Sequence, residues 1–410
     1  KNPNEYLFFK EARAFREKVL AENRKPSKGK KKSFQDRLLE DTSIGRRIIA
    51  NQSVKTLNKQ TKGKYIASYK DLECVLFAAG HAHKEALDFE AKKFAELCVS
   101  PEAKNQIALF FLDDGMKKVD KKTGVNPSEI PKVKKVGVMG AGVMGSGISH
   151  YFALKDHKVY MKDLKQEFVD KGLAFVRGEF EASYAKKKID DAKLQKYLTS
   201  VTGGTKDDDF KTCDVVIEAA VEVMDVKKKM LQQLEQAGIL DGKRLFATNT
   251  SSLSITELQS VSKYPECVVG MHFFNPVSKM PLVEVIMGKK TSKLAAATIF
   301  QLSLKIGKKP IIVQDGPGFL VNRILGAYMA EAGRLAKDGA NPDTLDKLIV
   351  NFGMPMGPFR LLDEVGLDIA CHVGPVLTNG LKHDRFAVDA AIEKMVKDGN
   401  LGKKNKKGFY

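Results

Sequence analysis

The chain predicts an α/β doubly wound sheet, followed by an all-α C-terminal domain and preceded by a helical linker region. Between about 131 and 314, short apolar runs alternate with helix-period stretches. Residues 1 to about 130 carry helix-period stretches and no strand-rich run. After Gly316-Pro317-Gly318 the pattern turns helical to the end. The expected division is therefore 1–130, 131–314 and 315–410.

In the first region, Tyr6 to Leu20 and Leu72 to Cys98 have helical periodicity. Lys25 to Lys32 (KPSKGKKK) is a polar, basic break, expected to be a solvated loop. His81 and His83 lack a third ligand in spacing, so no metal is expected. Lys117 to Lys132, with Gly, Pro and charge but little apolar content, is expected to link into the next domain.

The second region opens on KKVGVMGAGVMGSGI. Val136–Met139 is a buried-strand run, Gly140, Gly142 and Gly145 follow in G-x-G-x-x-G spacing, and a helix-period stretch covers Val143 to Lys155. These glycines serve a tight turn, close approach to a pyrophosphate and helix–strand packing, with the pyrophosphate on helix N-terminal N–H groups. The next run, Val159–Met161, ends at Asp163, 23 residues after Gly140. Strand, turn, helix and acid together make a Rossmann-type dinucleotide site. Asp163 suits a ribose 2′-OH and opposes a 2′-phosphate, so NAD is favoured over NADP; Lys162 and Lys165 soften that preference.

Further strand runs are Val215–Ile217, Leu245–Ala247, Val268–Met271, Leu282–Ile286 and Ile311–Val313, with an amphipathic stretch at Val223–Ala237. The helical C-terminal region has apolar periodicity through Phe319–Leu335 and Pro342–Phe352. Composition agrees with a folded protein: 410 residues, 43% hydrophobic and 29% charged. No apolar run approaches the roughly 18 residues that span a bilayer. Five scattered cysteines fit a reducing compartment and make the sequon Asn249-Thr250-Ser251 a chance match. The opening KNPNEYLFFK, without Met or a signal pattern, suggests a fragment. The net charge of +19 is spread along the chain without interleaved aromatics, which argues against nucleic acid. A solvated lysine surface explains most of it; the competing reading is attraction of phosphate-bearing small molecules or an acidic membrane surface.

Ligands in such sheets bind beyond the strands' carboxyl ends, so the residues that follow each run matter most. Asn249-Thr250-Ser251 follow Ala247, and His272 follows Met271. Ser251 is equally suited to cap the stretch Ile255–Val261 or to touch substrate. Glu284 lies in the apolar run L-V-E-V-I, where an acid is costly to bury unless paired. A fold-back around Ser278 sets it opposite His272, leaving the other ring nitrogen as a base. The alternative is an edge strand with Glu284 in water. Asn322 falls in the first turn of the helix after the last strand, expected near the ligand edge. Base, hydroxyl and amide together suit oxidation of a secondary alcohol beside a nicotinamide.

The motifs GAGVMGSGI, VIEAAVE, NTSSLSI, GMHFFNPV, PLVEVI, DGPGFLVNR and GMPMGPFRLLDEVGLD carry a resemblance over essentially the whole chain. It resembles the L-3-hydroxyacyl-CoA dehydrogenases of fatty-acid β-oxidation, specifically the dehydrogenase portion of the multifunctional α-subunit of the fatty-acid oxidation complex. Residues 1–130 look like the segment joining hydratase and dehydrogenase. The resemblance implies NAD-dependent oxidation of L-3-hydroxyacyl-CoA, with His272 as catalytic histidine, Glu284 as its orienting acid, and Ser251 and Asn322 on the substrate oxygen. Gly140, Gly142, Val143, Met144, Gly145, Asp163, Ala219, Glu222, Lys227, Asn249, Ser251 and Asn275 are implied cofactor contacts, and Lys187, in Lys186-Lys187-Lys188, a CoA contact. A thiolase subunit is the implied partner. A homo-oligomer and peripheral membrane contact are compatible with the resemblance, as is a bacterial cytoplasm or a mitochondrial matrix. The rival readings are a β-hydroxyacid dehydrogenase with a lysine base and a non-catalytic scaffold module; the His272–Glu284 pairing argues against the first, and the intact set of site residues against the second.

Overall fold

The computed structural model describes residues 3–22 and 33–410; the basic stretch Lys25–Lys32 lies outside the described residues. The chain separates into two compact units, Lys1–Ala108 and Leu109–Tyr410. The first holds α1 (Pro3–Ala21), α2 (Phe34–Glu40), α3 (Ser43–Thr61), α4 (Ile66–Ala78) and α5 (His83–Cys98), and α6 (Pro101–Met116) runs across the boundary. The periodic stretch 72–98 is thus two helices. Gly80 falls in the break, and the His81 ring Nδ1 lies 2.7 Å from the Phe77 carbonyl at the end of α4. Phe77 and Phe89 stack at 4.1 Å across the pair, and Lys93 bridges to Glu73 at 3.0 Å.

The second unit starts differently from the expected linker. It includes α7 (Val119–Thr123), and Val119, Val125, Ile130 and Val133 are buried in the same cluster as the sheet. Sparse apolar residues hid this packing, because each is isolated between charges.

The sheet follows: β1 (Lys135–Met139), α8 (Val143–Ala153), β2 (Lys158–Lys162), α9 (Gln166–Ala185), α10 (Asp191–Ser200), β3 (Val201–Gly204), β4 (Val215–Glu218), α11 (Met224–Gln236), β5 (Leu245–Thr248) and α12 (Ile255–Gln259). It ends with β6 (Val268–Phe273), β7 (Leu282–Met287), α13 (Lys293–Lys305) and β8 (Lys309–Gln314). Strand order is β3-β2-β1-β4-β5-β6-β7-β8. Neighbours are parallel except β6 and β7, so β7 and β8 run against the rest. Successive residues face opposite sides: Val215 and Ile217 join one core cluster, Val216 the other. Two buried faces explain the continuous apolar runs. Edge strand β3 escaped the sequence reading because half of VTGG is glycine and only Val201 is buried. Gly203 is required there, since a Cβ would lie 2.7 Å from the Met161 carbonyl oxygen.

The C-terminal helices are α14 (Val321–Lys337), α15 (Pro342–Phe352), α16 (Pro358–Val365), α17 (Leu367–Leu381) and α18 (Ala390–Lys397). They close around Ala332, Phe359, Leu362, Leu367 and Ile392. Asn341 caps α15 by accepting from the Thr344 N–H, with Pro342 in the first turn, where its missing N–H costs nothing.

Candidate active site

The glycine turn closes β1 onto α8. Gly140 has φ +109°, and its N–H donates to the Lys162 carbonyl at 2.7 Å. A Cβ on Gly145 would stand 1.8 Å from the Gly140 oxygen, so only glycine lets α8 start here. At Gly142 a Cβ would meet nothing within 4 Å, leaving open space over the first N–H groups of α8, which have no partner inside the helix. Asp163, just past β2, accepts from the Ala141 and Leu164 N–H groups at 2.7 Å each. Lys162 is buried and reaches Asp207 at 2.5 Å, and the Lys165 ammonium lies 5.9 Å from the Phe168 ring. Lys162 is therefore already committed to a carboxylate. Open helix N–H groups beside a carboxylate fit a dinucleotide with a free 2′-OH.

Next along the edge is a buried network. Glu218, at the end of β4, holds the Lys227 ammonium of α11 at 2.7 and 2.8 Å; both side chains are within 1% of fully buried. Glu218 also accepts from Thr248 at 2.6 Å and the Ala220 N–H at 2.7 Å. Lys227 lies 3.4 Å from Glu222. Glu222 accepts from the Thr250 hydroxyl at 2.6 Å, the Ser251 N–H at 2.8 Å and the Ser251 hydroxyl at 3.1 Å. Burial opposes its ionisation, but the Lys227 charge and these hydrogen bonds prevail and hold its carboxyl below the ordinary value. Ala219 lies beneath the glycine turn, its N–H on the Met139 carbonyl at 2.7 Å.

The β6–β7 register sets His272 opposite Glu284. Both are buried, and His272 Nδ1 is 2.7 Å from Glu284 Oε2. The other carboxylate oxygen accepts the Leu320 and Val321 N–H groups at 3.0 Å, the start of α14. Burial again opposes the charge, and the hydrogen bonds from His272, Val321 and Leu320 outweigh it, lowering the Glu284 pKa. The alternative of Glu284 in water is excluded. With Nδ1 on the carboxylate, Nε2 is the ring nitrogen left for a substrate proton. Phe274 packs against the imidazole at 4.5 Å. Asn249 ties β5 to β6 by accepting the Phe273 N–H at 2.8 Å.

Asn322 donates to the Ser251 carbonyl at 2.9 Å, bringing the two together. The expected route was wrong, however. β8 leaves the edge where β6 ends, because it runs antiparallel to β1–β6, and residues 315–320 double back to return α14 to Glu284. Ser251 is no helix cap; Ser254 accepts the Glu257 N–H and fills that role. Asn275 is exposed on the turn after β6. Lys187 is exposed at the α9–α10 connection with φ +55°, and no described hydrogen bond joins it to the His272 cluster. Val143 and Met144 open α8, with Val143 74% exposed at the rim. Sequence reasoning missed Glu218, although an acid ending the run VVIE carries the same signal that singled out Glu284.

Residues 135–316 match the family described as 3-hydroxyacyl-CoA dehydrogenase, NAD binding domain, and residues 318–410 match 3-hydroxyacyl-CoA dehydrogenase, C-terminal domain. The fatty acid oxidation complex subunit alpha of Shewanella baltica is 39% identical over 395 residues, 96% of this chain and 55% of that protein. Its counterpart in Idiomarina loihiensis is 40% identical over 375 residues, 91% and 52% respectively. The chain thus spans about half the length of these curated relatives. Among solved structures, M. tuberculosis FadB2 superposes with a TM-score of 0.66 at 32% identity, covering 68% of this chain and 99% of that one. The (S)-3-hydroxybutyryl-CoA dehydrogenase PaaH1 from Ralstonia eutropha gives 0.63 at 38% identity with the same coverage. Both halves of one family, matched in order on a single fold, mean that the chain belongs to the 3-hydroxyacyl-CoA dehydrogenase family.

Proposed function

We propose that this chain oxidises L-3-hydroxyacyl-CoA to 3-ketoacyl-CoA in fatty-acid β-oxidation, with NAD as cofactor. The observation that carries the reading is the buried His272–Glu284 pair beside Ser251 and Asn322. His272 Nε2 takes the C3 hydroxyl proton, and Glu284 holds the ring in the tautomer that makes this nitrogen basic. The imidazolium formed is stabilised by the Glu284 charge. Asn322 and Ser251 hold the substrate oxygen, while Phe274 and Phe319 keep water from the ring. Bound NAD supplies the acceptor for the hydride leaving C3. Gly140, Gly142, Val143, Met144 and Gly145 receive its pyrophosphate side and Asp163 its adenosine ribose. Ala219, Glu222, Asn249 and Asn275 line the nicotinamide side, and Lys227 acts there through Glu218 and Glu222. Lys187 contacts CoA phosphate.

The dinucleotide domain covers 131–314 with residues 109–130 packed on its core, the helical domain covers 315–410, and the helices before residue 109 are architectural. The relatives' name as subunits of a fatty acid oxidation complex supports assembly with a second subunit, which we take to be a thiolase; exposed apolar side chains and the net charge of +19 are compatible with self-association and peripheral membrane contact. The setting is a bacterial cytoplasm or a mitochondrial matrix.

The test is NADH absorbance with acetoacetyl-CoA as substrate. His272→Ala should lower kcat by about 10²–10⁴-fold with NAD affinity retained. Glu284→Gln should lower it too and shift the pH profile. Near-wild-type rates in either variant across pH 6–9 would overturn the assignment.

A further inference from the structure

Lys308 stands immediately before β8 and is 3% exposed. Its ammonium donates to the Val277 carbonyl and, at 2.6 Å, to the Met280 carbonyl. It also lies 3.9 Å from the centre of the Tyr151 ring of α8. No carboxylate is paired with it among the described residues. Asp113 is taken by the adjacent Lys309, and the nearby charge is Lys155, in the turn that follows α8, 5.7 Å from the same ring. A buried ammonium without a counter-ion is expensive, and an apolar side chain would fill the space at less cost. Such a group calls for a reason beyond packing.

The reason lies in what it holds. Both carbonyls belong to the turn 274–281 that joins His272's strand to Glu284's strand. The far end of the turn is fixed by the Lys309 N–H on the Pro281 carbonyl at 2.8 Å. Val277 rests on α8, where a Cβ at Gly147 would be 3.4 Å from its methyl. Lys308 can reach this turn because β8 begins at the edge where β6 ends.

We propose that Lys308 is a positioning residue whose ammonium pins the 274–281 turn to the glycine-loop helix, fixing Phe274 and Asn275 relative to His272. What the turn does rests on the dehydrogenase reading; that Lys308 holds it does not. Burial, reinforced by Lys155, brings the Lys308 pKa down to about 8. It is therefore charged at pH 7 and loses its proton as pH rises through about 8, when its hold on two carbonyls weakens.

The experiment combines kinetics with amide hydrogen exchange on wild type, Lys308→Met and Lys308→Arg. In Lys308→Met, exchange should accelerate in 274–281 and not across the rest of the sheet. Turnover should fall about 10–100-fold while NAD affinity is retained, as expected for displaced groups near a reacting centre. Lys308→Arg, which keeps the charge, should recover part of both. The wild-type rate should fall across pH 8, and that limb should vanish in Lys308→Met. Unchanged turn exchange, or a loss of protection spread evenly over the sheet, overturns the proposal. If Lys308→Met does not fold, the wild type decides: exchange in 274–281 must rise through pH 8 beyond the base-catalysed increase of neighbouring strands, and its absence overturns the proposal. A wild type inert toward acyl-CoA would sink the dehydrogenase reading and leave the exchange result to judge Lys308 alone.

Discussion

The Ser251 hydroxyl has one proton, and Glu222, held ionised at neutral pH, can only accept it. As it stands, Ser251 offers a substrate lone pairs, and Asn322 keeps the one amide N–H not spent on the Ser251 carbonyl. In the proposed reaction Ser251 must therefore turn its hydroxyl proton from Glu222 to the substrate oxygen, whereas Asn322 can donate without rearrangement. The Glu222 carboxyl titrates below the ordinary value, so on acidification the unfolded chain takes up the proton first. Ionised Glu222 contributes its full stability above the ordinary pKa of about 4.3 and loses it as pH falls through the lower folded value. Glu284 follows the same sign. Glu222→Gln should therefore flatten the fall in melting temperature between pH 5 and 3, measured by calorimetry; a slope equal to wild type would contradict the network.

Among the elements, β2 and its terminal acid make the cofactor choice. In the proposed reading Asp163 receives the ribose, and Lys162, one of the two lysines that flank it, is bound to Asp207. A 2′-phosphate would meet the Asp163 carboxylate with only the exposed Lys165 to offset it, so kcat/KM should favour NAD over NADP, and Asp163→Ser should narrow the gap. Preference of the wild type for NADP would reverse this assignment. The glycine turn, the His272–Glu284 register and the helix at Pro342–Phe352 were legible because each follows from local spacing. β3 was hidden by its glycines, and the direction of β8 by the fact that an apolar run carries no polarity. Lys308 was one lysine among many. Its role depends on a turn about 30 residues earlier in the chain, which only tertiary structure reveals.

For the whole molecule, the consequential boundary is Ala108–Leu109. A chain beginning at Leu109 keeps Val119, Val125 and Ile130 in the core, whereas one beginning at Pro131 discards all three. Fully burying such side chains contributes about 1.5–3 kcal/mol each. The longer truncation should melt well below the shorter one, while the Leu109 form retains NADH-linked activity. Equal melting temperatures, read by calorimetry, would show that residues 109–130 add nothing to the sheet's core; an inactive but folded Leu109 form would give the first unit a part in chemistry.

The two bonds from the start of α14 to Glu284 come from main-chain N–H groups. Inheritance of this link is consequently indifferent to side-chain identity: Leu320 is 45% exposed and free to drift, provided it never becomes proline. Asn322, two residues further, has no such latitude, because its amide is a side chain. The outer surface of the helical domain is therefore open to exchange while the histidine's support stays encoded in the backbone itself.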